Sequence, residues 1–128
     1  QGELAGDLRG QAKRLLGSPK ASRLAEEFAV QWLQLRRLEQ AQPDPARFPA
    51  FDERLRASMR EETVRFFEAA VRENLPVLAL IDAPFTFLDE ALARHYGVAG
   101  VTGPEFRRVE AAALGPQRGG LLRMASVL

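Results

Sequence analysis

A chain of 128 residues is long enough for one domain with a real core and too short for two. Its 46% hydrophobic and 27% charged content is that of a globular domain and argues against disorder. With 18 Lys and Arg against 17 Asp and Glu, the net charge of +1 supplies no field to draw the chain onto nucleic acid or anionic lipid, and no Cys is present for a disulfide, a thiol nucleophile or covalent haem attachment.

The elements read as helix almost throughout. Leu4, Leu8, Ala12, Leu15 and Leu16 recur at helical spacing until Gly17-Ser18-Pro19 interrupts them. Ser18 suits the N-cap of a second helix, and Pro19 its first position, where a missing N–H costs nothing. Leu24, Phe28, Trp32 and Leu35 then fall on one face beside Ala21, Ala25 and Ala29, which predicts a core-facing stripe. Pro43, Pro45 and Pro49 forbid regular helix in the next stretch, which reads as a rigid connector pinned by Phe48.

The longest helix is expected from about Pro49 to Asn74, with Phe51, Leu55, Met59, Phe66 and Ala70 as its buried stripe. Pro76 ends it. After a short apolar turn at Val77–Ile81, Thr86-Phe-Leu-Asp89 has capping-box spacing, with Thr86 as the N-cap of a helix that stops at Gly97. Gly100, Gly103 and Pro104 open an irregular loop. A Gly-rich link through Gly115–Gly120 leads to a final apolar run, Leu121–Leu128. No stretch shows the sustained period of two expected of strands, so the sequence predicts an all-α fold: an irregular bundle of four to five helices with Pro- and Gly-rich connectors. No apolar run approaches the ~20 residues needed to span a bilayer.

Chemistry, if present, belongs near His95, the only His, and Tyr96, the only Tyr. A neutral imidazole can ligate a metal or haem iron or act as a general base. A metal site needs further ligands at suitable spacing. Glu90 lies five residues earlier, about 140° round the helix, and faces His95 poorly. The plain alternative has His95 closing a helix C-terminus, where the dipole favours it. Glu61-Glu62 with Arg65 reads as a solvated helix face and not as a carboxylate pair for glycoside hydrolysis. Trp32 with Phe28, and Phe66 with Phe67, read as core ahead of a stacking platform.

Three stretches taken together carry a family likeness: Phe28-Ala-Val-Gln-Trp-Leu-Gln-Leu-Arg36, Gln42-Pro-Asp-Pro-Ala-Arg-Phe-Pro-Ala-Phe-Asp-Glu53 and Phe85-Thr-Phe-Leu-Asp-Glu-Ala-Leu-Ala-Arg-His-Tyr-Gly97. From Leu4 to Val109 the chain resembles a domain-of-unknown-function family found in large planctomycete-type proteins. The tail Arg118-Gly-Gly-Leu-Leu-Arg-Met-Ala-Ser-Val-Leu128 resembles the start of the domain that follows there, a planctomycete cytochrome-c-associated domain. Residues 1–117 are thus expected to form the helical domain and 118–128 the truncated start of a following element. Gln1 in place of an initiator Met reads the same way, as a piece of a longer protein. The resemblance implies an exported, multi-domain parent, a periplasmic or cell-surface setting and a link to electron transfer. The haem-attachment motif Cys-x-x-Cys-His is absent here, so haem c is expected in the parent protein and no cofactor in this segment.

Two functions follow from these readings. One is a non-catalytic structural or interaction module whose partners are neighbouring domains of its own chain, among them a cytochrome c domain; no nucleic acid is expected. The other is a share of the active site of a redox or carbohydrate-active enzyme. In that case His95, with Tyr96 and Asp82, lines a cleft that a neighbouring domain completes, and His95 is the candidate cofactor-binding residue. Catalytic residues are not assigned.

Overall fold

A computed structural model describes residues 7–115 and 120–127. Leu4, Arg118 and Leu128, and the side chain of Ala25, lie outside the described residues. Helix α1 spans Leu8–Leu16 and α2 spans Pro19–Trp32. Pro19 holds the first position of α2 and Ser18 is extended, as expected, but the Ser18 hydroxyl donates back to the Leu15 carbonyl (2.7 Å) and does not cap α2. Gln34, at φ 52°, turns the chain into the short α3, Arg36–Gln40.

The proline connector follows, and Phe48 does not pin it, being exposed. Arg56 does: its guanidinium reaches back to the carbonyls of Glu39 (2.8 Å) and Ala41 (2.6 Å) and lies over the Phe51 ring. Helix α4, Glu53–Arg72, is 20 residues long, close to 30 Å. It starts later than Pro49 because Asp52 is its cap, accepting from the Leu55 N–H at 2.7 Å. It stops at Arg72, and Asn74 takes φ 51° just beyond.

The fold is not all-α. After the short α5, Ala79–Asp82, strand β1 (Phe85–Leu88) pairs antiparallel with β2 (Arg107–Glu110), with Phe85 opposite Glu110 and Leu88 opposite Arg107. The described residues therefore hold six α-helices and a two-stranded sheet, a mixed α/β arrangement. Each strand has four residues, too few for a period of two to stand out. Three of the four residues of β1 are buried, so no wet face alternates with a dry one. Thr86 accordingly sits in a strand, and Asp89 is the true N-cap of α6, Glu90–Tyr96, which ends at Gly97 with φ 73° as expected.

Two apolar clusters follow one another along α4. Toward its C-terminal end Phe66 and Phe67 pack with Ala29, Ala83, Phe85, Leu121 and Met124. Toward its start Leu55 and Met59 meet Leu88, Leu92 and Ala93. Leu55, Met59, Phe66 and Ala70 of the stripe expected on α4 are buried, whereas Phe51 lies before the helix and is half-buried. Leu121 and Met124 sit inside the first cluster, so part of the apolar tail is covered by the chain's own core. Leu24, Phe28 and Trp32 depart from expectation: they face outward, 64%, 49% and 55% exposed, while Leu35 is buried.

Candidate functional site

Helix α6 places the residues with most chemistry. Asp89 accepts from the Leu92 N–H (2.9 Å) through one carboxylate oxygen and from the Ser58 hydroxyl (2.7 Å) through the other, so the cap also ties α6 to α4. From that fixed start, the seven residues of α6 send Glu90, Ala91, Arg94 and His95 to the wall of an open cleft of about 290 Å³. The start of α4, Asp52, Arg54 and Leu55, with Ala50, forms its other wall. Glu90 and His95, expected to face apart, thus line one space because it is wide enough to take both.

Within the cleft Glu90 is the best-held group. Its carboxylate accepts from the Gly103 N–H (2.7 Å) and pairs with Arg94. The Gly103 hydrogen bond, then Arg94 and more weakly Arg54, hold its carboxyl below the ordinary range, against a smaller opposing effect of desolvation. His95 is exposed in the last turn of α6. Asp82 and Tyr96 are not on the cleft wall, so the trio expected with His95 is not assembled. Among the described residues no three His, Asp or Glu side chains are grouped to hold a metal ion.

Tyr96 turns inward to a second place that the sequence reading missed. Its hydroxyl donates to Glu62 at 2.7 Å and accepts from the Ala125 N–H at 3.0 Å. Glu62 also accepts from the Thr86 hydroxyl at 2.6 Å and is only 1% exposed. One carboxylate on α4 therefore joins β1, α6 and, through Tyr96, the C-terminal segment. Next to it Thr63 bonds Ser126. The space beside Glu62 is about 10 Å³, no more than one water needs, so no substrate enters.

Only half of the solvated-face reading of Glu61-Glu62 survives. Glu61 pairs with Arg65 at the surface (2.8 Å), but Glu62, turned ~100° further round, lies under the fold. The signal was present in the spacing: Glu62 is three residues after Met59 and four before Phe66, within the apolar stripe.

Residues 1–98 match the family model described as Protein of unknown function (DUF1592). The chain belongs to the DUF1592 family. The expected membership in a family of unknown function therefore holds. No curated protein matches the chain, and no solved structure does. The DUF1592 match contains Glu62, Thr86, Asp89, His95 and Tyr96, and it ends before β2 and before the segment that supplies Leu121 and Met124. No described helix is long and apolar enough to cross a membrane.

Proposed function

We propose that this DUF1592 chain is a non-catalytic, mostly helical module that packs against neighbouring domains of a larger exported protein working with c-type cytochromes in electron transfer. One observation carries the reading: the buried polar groups are spent on bracing the fold. Thr86 and Tyr96 both donate to Glu62, and Asp89 accepts from Ser58 and the Leu92 N–H. A set so engaged is costly to disturb and has nothing left to offer a substrate. The outward Leu24, Phe28 and Trp32 are what an interaction surface requires. The setting proposed with it is the periplasm or cell surface, the partner a cytochrome c domain, and haem c a cofactor of the parent protein. Haemochrome and metal analysis of the purified 128-residue chain tests this. The reading expects neither haem nor metal, and a stoichiometric cofactor overturns it.

A second reading has one observation in its favour: His95 is exposed on the wall of an open cleft. A neighbouring domain closing over it would complete an active site of a redox or carbohydrate-active enzyme. His95→Ala in the parent protein should then abolish turnover, or shift a haem spectrum, with little change in stability. A loss of stability with unchanged turnover would return His95 to its role at the helix end.

A further inference from the structure

Leu24, Phe28 and Trp32 form one stripe on the outer side of α2, each about half exposed or more. The Phe28 and Trp32 rings lie 5.3 and 6.4 Å from the Phe67 ring. Phe67 in turn forms a wall of an open groove of about 300 Å³ with Leu16, Val77 and Leu80. An aromatic ridge and an apolar groove therefore lie side by side on one face. At roughly 150–250 Å² for each large side chain, their exposed parts amount to on the order of 500–600 Å² of apolar surface. That is the upper end for a chain that stands alone. It also exceeds one partner's non-polar share of a standard interface, about 450 Å² when some 800 Å² is taken from each side with a little over half of it apolar.

We infer that this face pairs with a second copy of the same chain about a two-fold axis, the Phe28–Trp32 ridge of each copy entering the groove of the other. A ridge beside a groove is what such a contact needs, because each copy then supplies both halves and every contact is made twice. The net charge of +1 sets almost no repulsion between copies. Polar residues edge the groove: Asn74 lines it, and Arg72 beside it is already paired with Glu68 at 2.8 Å. The inference rests on the module reading and gives this one face of the module to a second copy, leaving its other faces to neighbouring domains.

Sedimentation equilibrium of the 128-residue chain across the micromolar range tests it, with emission from Trp32, the only Trp, as a second readout. The expected result is a dimer whose formation shifts that emission to the blue. Trp32→Glu and, separately, Val77→Glu should each weaken association at least ~tenfold, about 1.4 kcal/mol, with far-UV circular dichroism unchanged. Val77→Glu keeps the emission readout that Trp32→Glu removes. A monomer throughout with the emission of a solvated indole, or a dimer that both substitutions leave intact, overturns the pairing. Haem and metal analysis of the same sample separates the two ideas: a bound cofactor sinks the module reading in any state of association, whereas a cofactor-free monomer sinks only the pairing.

Discussion

Gly120→Ala probes how the C-terminal segment is seated. A Cβ on Gly120 would stand 1.9 Å from the Ile81 carbonyl oxygen, 2.3 Å from its carbon and 2.9 Å from the Asp82 nitrogen. All three are backbone atoms, so no side chain can swing aside. Restoring even 3.0 Å means parting the two backbones by about 1.1 Å, the difference between 3.0 and 1.9 Å. Leu121 and Met124 are then drawn out of the cluster they share with Phe66 and Phe85. Gly120 also has φ 67° and ψ 168°, a region that is almost entirely glycine's and costs other residues ~1–3 kcal/mol. With ~1–3 kcal/mol for overpacking, the substitution should cost ~2–6 kcal/mol in all, a large part of the stability of a domain this size. Gly97→Ala is the control: φ is 73° there too, but nothing lies within 4 Å, so only the ~1–2 kcal/mol left-handed penalty applies. Urea unfolding followed by circular dichroism measures both. If Gly120→Ala costs no more than Gly97→Ala, the close packing of the segment on Ile81 is wrong.

Other substitutions test the helix starts and the cleft. Asp89→Ala removes a cap and the acceptor of the Ser58 hydroxyl, and should cost ~2–3 kcal/mol in urea unfolding, against ~1 kcal/mol for Ser58→Ala; equal losses would show that the cap contributes nothing. Glu90 has a depressed native pKa, caused first by the Gly103 N–H and then by Arg94. It therefore contributes stability that is present at pH above its unfolded value and is lost as pH falls through the depressed native value. Glu90→Gln should lower the urea midpoint at neutral pH, with the gap to the unaltered chain closing in acid. A gap that stays constant into strong acid contradicts the assignment. Arg56→Ala releases the connector from its hydrogen bonds to the Glu39 and Ala41 carbonyls and should sharply raise proteolysis between residues 41 and 51; unchanged cleavage there would deny it that role.

How much could be read from the chain varied with how local the cause was. The Gly97 stop, Pro19 at a helix start and the Leu55–Met59–Phe66–Ala70 stripe are set by single residues or by one helix's period, and these were legible. The sheet was not. Pairing β1 with β2 joins residues about twenty apart, and strands this short leave no pattern to find. Thr86 was misplaced because a threonine three residues before an acid fits a capping box, while Asp89, the better cap, stood at the other end of the same motif. Trp32 and Phe28 were read as core because periodicity reveals that a helix has an apolar face but not which neighbour covers it. The position of His95 in the last turn of a helix that stops at Gly97 was legible. Glu62 was not, since charge alone assigned it to water although its spacing put it among Met59 and Phe66.

Glu62 is an internal joint of the fold and not a surface charge, and its removal tests this most directly. Glu62→Ala would leave the Thr86 and Tyr96 hydroxyls without the acceptor they now share, at ~1–3 kcal/mol each, and open a small cavity besides. Urea unfolding should show a loss of ~3 kcal/mol or more, with amide exchange quickening at Ala125, whose N–H is held by Tyr96. A change within ~0.5 kcal/mol, as for an ordinary solvated position, with exchange at Ala125 unaltered, would contradict the account.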